Sequence, residues 1–134
     1  MMKHRVVIGL GSNLAEGETL IAQCVDRLGA LISFDSPLWI YSTPSISGKG
    51  PDYYNCVMSG MTSLECLELN VRSKEIEIAM GRTDECKLTG AVPIDIDIVM
   101  FDGEIMRPRD FSQPYFTIGY ERLPHCAGAT GQPL

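Results

Sequence analysis

The sequence predicts a ferredoxin-like α+β sandwich, and three observations support this fold class. Short β-rich runs and two helical stretches follow one another in the order β-α-β-β-α-β, with an added hairpin strand. A chain of 134 residues suits one domain, and its hydrophobic share of 45% is enough for a proper core. We therefore expect residues 1–134 to form a single domain.

The chain opens with a strand and a helix. The run RVVIGLG, from Arg5 to Gly11, is rich in β-branched residues and ends in glycine. Ser12 and Asn13 then offer capping side chains for an amphipathic helix over about 16–31.

Two strands are expected next, near 38–42 and 53–61. The segment between them, 43–51, is rich in proline, serine and glycine. Binding residues are often carried by such exposed loops, so it is a candidate binding loop.

The second half of the chain contains a second helix and a hairpin. Residues 62–65, TSLE, match a capping box, and the helix that follows ends at Gly81. Residues 82–92 have no clear period and predict an exposed loop. Asp102-Gly103 is a strong hairpin signal, whereas the tail over 108–134 is the least regular part.

The strand before that hairpin carries two acidic residues inside the most apolar run of the chain. Strand alternation predicts two sets of side chains: Ile94, Ile96, Ile98 and Met100 on one face, and Asp95, Asp97, Val99 and Phe101 on the other. The Cα atoms of Asp95 and Asp97 should lie about 7 Å apart, close enough for both carboxylates to bind divalent cations. The alternative is an exposed strand face that only aids solubility.

Charge and cysteine content exclude several classes of protein. With 11 Lys and Arg against 17 Asp and Glu, the formal charge of −6 argues against a nucleic-acid surface. We expect no membrane segment, because no apolar run approaches the length of a span, and the N-terminal region lacks the pattern of a signal peptide.

The five cysteines are widely spaced without a C-x-x-C pair, which indicates reduced thiols and a cytoplasmic protein. His4 and His125 are too isolated to form a zinc site.

Neither common phosphate-binding loop is present. Gly9-Leu10-Gly11 lacks the third glycine of a dinucleotide fingerprint, and no G-x-x-x-x-G-K-[ST] motif occurs. Tyr53 and Asn55 share a strand face and could bind a flat heterocycle, although an ordinary strand start with aromatic packing is the alternative.

Five blocks of sequence together carry a family resemblance. They are GLGSNL (9–14), YSTPSI (41–46), PDYYNCV (51–57), EIEIAMGR (75–82) and PIDIDIVMFDG (93–103). In order and spacing they resemble the 6-hydroxymethyl-7,8-dihydropterin pyrophosphokinases of folate biosynthesis, over about the first 115 residues. The resemblance implies a ferredoxin-like enzyme that transfers the pyrophosphoryl group of ATP to a reduced pterin and releases AMP.

The resemblance also implies roles for individual residues. Asp95 and Asp97 would bind two Mg²⁺ ions and, with Arg82, serve catalysis. The pterin would contact Thr43, Pro44, Ser45, Ile46, Tyr53 and Asn55, and the nucleotide would contact Glu77, Arg82, Lys87 and Ile98. From the residues alone, Glu77 could instead be a helix-surface charge, and Arg82 could simply oppose a helix dipole.

The chain also departs from the family pattern. Residues 82–92, which we call the nucleotide loop, contain Asp84, Thr89 and Val92 where relatives usually carry basic residues and a tryptophan. Tyr115 follows Pro114 where the family has histidine, and the chain ends early. Two hypotheses follow: an active pyrophosphokinase with a reduced nucleotide loop, or a non-catalytic pterin-binding or structural relative.

Overall fold

The structure is a computed structural model that describes residues 3–124, and one antiparallel sheet of six strands organises this range. The strands are β1 (His4–Ser12), β2 (Ser33–Phe34), β3 (Tyr41–Thr43), β4 (Tyr53–Thr62), β5 (Asp95–Phe101) and β6 (Glu104–Ile105). Their order is β2-β4-β1-β5-β6, and β3 pairs with β4 along the same edge as β2. The fold is thus α+β, with β1 at the centre of the sheet.

Five helices within the described range cover parts of both faces of this sheet. They are α1 (Gly17–Leu28), α2 (Cys66–Ala79), α3 (Glu85–Thr89), α4 (Pro108–Phe111) and α5 (Pro114–Tyr120). On one face, α1 and α2 pack on the apolar side of β1, β4 and β5. On the other, Phe116 of α5 packs against Val7, Val57 and Val99. No helix in residues 3–124 is both long and apolar enough to cross a membrane.

A β-bulge in β5 corrects the predicted alternation. Ile8 of β1 pairs with Ile98 and Val7 pairs with Met100, so the register shifts around Val99. Beyond the bulge the faces exchange: Phe101 joins the core beneath α1 and α2, and Met100 packs on the opposite side. The prediction was therefore wrong for Met100 and Phe101 and right for the residues before the bulge.

The predicted cap of the first helix is wrong. Ser12 belongs to β1, and α1 begins at Gly17 without a side-chain cap. Asn13 instead binds the end of the nucleotide loop, because its Nδ2 donates to the carbonyl of Gly90 (2.9 Å) and its Oδ1 accepts from the amide of Val92 (2.6 Å).

The capping box predicted for the second helix is also wrong. The Thr62 hydroxyl donates to the carbonyl of Leu31 at 2.8 Å, and Glu65 at the start of α2 makes no cap hydrogen bond. Thr62 ends a paired strand, so its side chain is used to join β4 to the segment after α1. The helix does end as predicted, just before Gly81, whose φ of 111° favours glycine.

Other local predictions have mixed outcomes. The Asp102-Gly103 hairpin is confirmed, since φ is 52° and 83° at these residues and β6 pairs with β5. The short strand β2, the helix α3 inside the nucleotide loop and the helices α4 and α5 were not predicted. His125, Cys126 and the rest of the tail lie outside the described residues, and the four cysteines inside them are free thiols.

We predict that Gly119→Ala destabilises the fold although alanine favours helices. An added Cβ would lie 2.7 Å from Tyr41 Oη and 2.7 Å from Val57 Cγ2, so α5 would have to move away from the sheet. We expect a loss of about 1 kcal/mol or more in the free energy of unfolding, measured by chemical denaturation. The exposed neighbour Ile118→Ala is the control, and equal stability of Gly119→Ala and the parent would contradict this packing.

Candidate active site

A cleft of about 350 Å³ opens on the sheet face opposite α1 and α2. α5 covers one end of this face, and the cleft occupies the other. It is lined by the predicted residues Thr43, Pro44, Ser45, Ile46, Tyr53, Asn55, Asp95 and Asp97, together with Arg107, Asp110 and Tyr115. The structure thus brings the residues predicted to bind pterin and metal into one cavity.

Two glycines of β1 form the floor of the cleft. Gly11 pairs with Asn55 on one side and with Asp95 on the other, while Gly9 pairs with Asp97. Directly paired residues project from the same face, so Asn55 and Asp95 lie on either side of a position without a side chain, roughly 10 Å apart across two strand spacings. The glycines therefore leave room for a ligand between the amide and the carboxylates.

The two carboxylates lie close together and are only partly accessible to solvent. The side chain of Asp97 is 16% exposed and that of Asp95 is 35% exposed. Burial, and then the negative charge of Asp95, raise the pKa of Asp97 to about 7. A cation bound at the pair would favour the ionised form of both groups.

The donor set suits a hard cation such as Mg²⁺, which prefers oxygen ligands. Within residues 3–124 there is no cluster of three or more His, Cys, Asp or Glu side chains that could hold a metal. An ion bound by Asp95 and Asp97 would thus need further ligands from water or substrate oxygens, as Mg²⁺ in nucleotide sites does.

Arg82 connects α2 to the carboxylate pair. Its Nη1 lies 2.8 Å from Asp95 Oδ1 and 3.5 Å from Glu77 Oε1. Glu77 is only 4% exposed, so the alternative of a helix-surface charge is wrong. Its Oε2 accepts the amide of Ile96 at 2.7 Å and thereby satisfies a backbone donor of β5.

The predicted nucleotide residues are spread over two environments. Arg82 and Lys87 line a second, more open groove of about 580 Å³ formed by the nucleotide loop, and Val92 lies at the same groove. Ile98 is buried in the apolar core beneath α1 and α2 and lines neither cavity. Any contact between Ile98 and a nucleotide would have to come from its backbone.

The polar side of the predicted pterin site is already oriented. Asn55 is buried, and its Nδ2 donates to Thr43 Oγ1 at 2.8 Å and to the Tyr53 carbonyl at 3.4 Å. Burial, and then the charge of Asp95, raise the pKa of Tyr53, so the phenol is neutral at physiological pH. A neutral aromatic ring beside a fixed amide can bind a flat heterocycle with a donor and acceptor edge.

Sequence reasoning missed Arg107 and Asp110 of the cleft, and it noted Tyr115 only as a departure from the family pattern. Arg107 Nε lies 3.5 Å from Asp97 Oδ1 and binds Asp110 Oδ2, while the hydroxyl of Tyr115 donates to Asp110 Oδ1. A signal was present, because Arg107 precedes Pro108 and stands three residues before Asp110, a spacing found at helix starts. The sequence thus indicates a helix start at this point but not the contact between Arg107 and Asp97.

Comparison with known proteins identifies the family of this chain. Residues 7–129 match the family model described as 7,8-dihydro-6-hydroxymethylpterin-pyrophosphokinase (HPPK). Three relatives are named 2-amino-4-hydroxy-6-hydroxymethyldihydropteridine pyrophosphokinase. The Helicobacter pylori protein is 31% identical over 84% of this chain and 71% of its own length, and the Bacillus subtilis protein is 30% identical over 91% and 74%. The Aquifex aeolicus protein is 28% identical over 82% of this chain and 69% of its own length. The chain therefore belongs to the 7,8-dihydro-6-hydroxymethylpterin-pyrophosphokinase family.

Proposed function

We propose that this protein transfers the β,γ-pyrophosphoryl group of ATP to the hydroxymethyl oxygen of 6-hydroxymethyl-7,8-dihydropterin in folate biosynthesis. A new bond forms between that oxygen and the β-phosphorus, the bond to the α-phosphate oxygen breaks, and AMP and the hydroxyl proton leave. The observation that carries this proposal is the shared cleft, in which Asn55 and the Asp95–Asp97 pair face the same space across Gly11. A cytoplasmic location stays a prediction from the cysteine pattern.

We also propose that the fold is ferredoxin-like in topology. The short strands β2 and β3 pair with successive parts of β4 and together act as one edge strand. The order then becomes edge strand, β4, β1, β5, with α1 and α2 on one face, which agrees with a β-α-β-β-α-β connection. β6 is the added hairpin strand.

Two Mg²⁺ ions would be held by Asp95 and Asp97 together with oxygens of the triphosphate. When bound, the metal supplies charge neutralisation of the phosphoryl oxygens during in-line displacement. The chain contributes the position of these carboxylates: β5 fixes both on one face, and Glu77 fixes β5 through the amide of Ile96. The free pair carries a like-charge repulsion that a bound cation removes.

The pterin would be held by the predicted residues at the other side of the glycine floor. The ring of Tyr53 can stack on the heterocycle, and the Asn55 amide can pair with its polar edge. Thr43 orients Asn55 through its hydroxyl, and the backbone of 44–46 borders the same space. Orientation of the hydroxymethyl group toward the carboxylates would follow from this placement.

The nucleotide side depends on few cations. Arg82 and Lys87 line the second groove, where the triphosphate or the adenosine part of ATP could extend. The net charge of −6 repels an anionic substrate overall, so local guanidinium and ammonium groups must offset it.

Asp97→Asn should abolish AMP formation while leaving the metal-free protein as stable as the parent or more stable. The neutral amide removes a metal ligand and also the repulsion with Asp95. Turnover would be measured with pterin, ATP and Mg²⁺, MgATP affinity by calorimetry, and stability by thermal unfolding in EDTA. Asp26→Asn, at an exposed position of α1, is the control.

The same assay decides between the two functional hypotheses. If the parent binds the pterin but forms no AMP, the protein is a non-catalytic relative. If Asp97→Asn binds MgATP as tightly as the parent, the carboxylate is not a metal ligand and the proposed metal site is wrong.

Asn55→Ala should weaken pterin binding by about 1–3 kcal/mol, because a polar group of the ligand would lose its partner. MgATP binding should change much less, since Asn55 lies across the glycine floor from the carboxylates. Calorimetry with each ligand separately measures both effects, with Ser42→Ala on the exposed side of β3 as the control. An equal loss for the two ligands would rule out this division of the cleft.

Arg82→Ala should slow AMP formation by about 100-fold or more, as the loss of an arginine contact can in phosphoryl transfer. Pterin affinity should be retained, because Arg82 faces Asp95 and the second groove. The rate is measured at saturating MgATP and pterin, and Arg72→Ala on the exposed face of α2 is the control. Val92→Arg, which adds a cation at the rim of the second groove, should raise the rate. An unchanged rate in Arg82→Ala would exclude Arg82 from the phosphate site.

A further inference from the structure

Each carboxylate of the Asp95–Asp97 pair has a guanidinium partner of its own. Arg82, before β5 in the chain, contacts Asp95, and Arg107, after β6, contacts Asp97. The two arginines lie at different cavities: Arg82 lines the second groove and Arg107 lines the cleft. The side chain of Arg107 is 49% exposed, so part of it is accessible to a ligand in the cleft.

Arg107 is held in place by a short chain of contacts. Asp110 uses one carboxylate oxygen for Arg107 Nε and the other for the hydroxyl of Tyr115. Asp110 is mostly buried, and its bond raises the pKa of Arg107 above its already high value. Burial and Asp110 also raise the pKa of Tyr115, so the phenol stays a hydrogen-bond donor. The guanidinium is thus fixed before any ligand arrives.

We infer that Arg107 is a further phosphate-contacting residue of the proposed reaction, and that Asp110 and Tyr115 are its positioning residues. This inference rests on the proposed function and adds a cation that the sequence did not indicate. Both contacts of Arg107 with carboxylates are made by Nε. The terminal nitrogens carry the remaining N–H donors, in the planar arrangement that suits phosphate oxygens.

The placement of Arg107 compensates for the composition of the nucleotide loop. That loop has Thr89 and Val92 where cations were expected, and Arg107 supplies one next to Asp97 from the segment after β6. With Asp97 engaged by a cation, its attraction for Arg107 would weaken, and the guanidinium would be able to face phosphate oxygens bound beside Asp97.

A purely structural role of Arg107 makes the opposite prediction. If Arg107 only neutralised Asp97 in the ligand-free protein, it would compete with the metal for that carboxylate. Its removal would then strengthen binding of Mg²⁺ with a phosphate ligand. The sign of the change in affinity therefore separates the two roles.

The first experiment measures binding of inorganic pyrophosphate in the presence of Mg²⁺ by calorimetry. We expect Arg107→Ala to weaken binding about tenfold or more, as loss of a charge-assisted hydrogen bond does. Arg107→Lys should restore part of the affinity, and the exposed Arg109→Ala should leave it unchanged. Equal or tighter binding by Arg107→Ala would overturn the inference.

The second experiment tests the positioning residues by AMP formation. Tyr115→Phe and Asp110→Asn should each lower kcat with unchanged pterin affinity. In a protein that already carries Arg107→Ala, adding Asp110→Asn should lower kcat only a little further. An equal additional loss in the Arg107→Ala background would show that Asp110 does not act through Arg107. If the parent forms no AMP, the proposed function fails, and the pyrophosphate experiment still decides the role of Arg107.

Discussion

The repulsion between Asp95 and Asp97 is the constraint on which the rest of the site depends. Two carboxylates on one face of an apolar strand are unfavourable when both are ionised. Burial, and then the negative charge of Asp95, raise the pKa of Asp97 to about 7. Arg82 offsets part of this cost beside Asp95, and Arg107 does so beside Asp97. Such a pair suits binding of a cation, because a bound positive charge would favour the ionised form of both carboxylates.

The fold keeps this pair in place through backbone contacts. β6 pairs only with the end of β5. Near the start of β5, the described residues offer no neighbouring strand on this edge, and Glu77 accepts the backbone amide of Ile96 instead. On the other side, Gly9 and Gly11 pair with the two aspartates and leave the space above the sheet open. A strand that is held at both edges can keep two like charges at a fixed separation, which a loop could not do.

Strand patterns identified most of this arrangement from the sequence, and long-range contacts account for the rest. Alternation placed Asp95 and Asp97 on one face because the β-bulge comes later, at Val99. The predicted helix caps are wrong because of long-range contacts. Asn13 and Thr62 are residue types typical of helix starts, but distant backbone groups bind their side chains. Arg107 was missed because its partner Asp97 is a tertiary neighbour, and no local period reports such a contact.

Asn13 anchors the end of the nucleotide loop. Asn13 makes two side-chain bonds to Gly90 and Val92, and its own amide donates to the Val92 carbonyl at 3.0 Å. These bonds fix the end of the loop to the end of β1, so its last residues can move little without breaking them. A basic side chain at the end of the loop, as in Val92→Arg, would therefore act from a fixed position and not through closure of the loop. Arg82 and Arg107 likewise occupy fixed positions, Arg82 beside Asp95 and Arg107 beside Asp97.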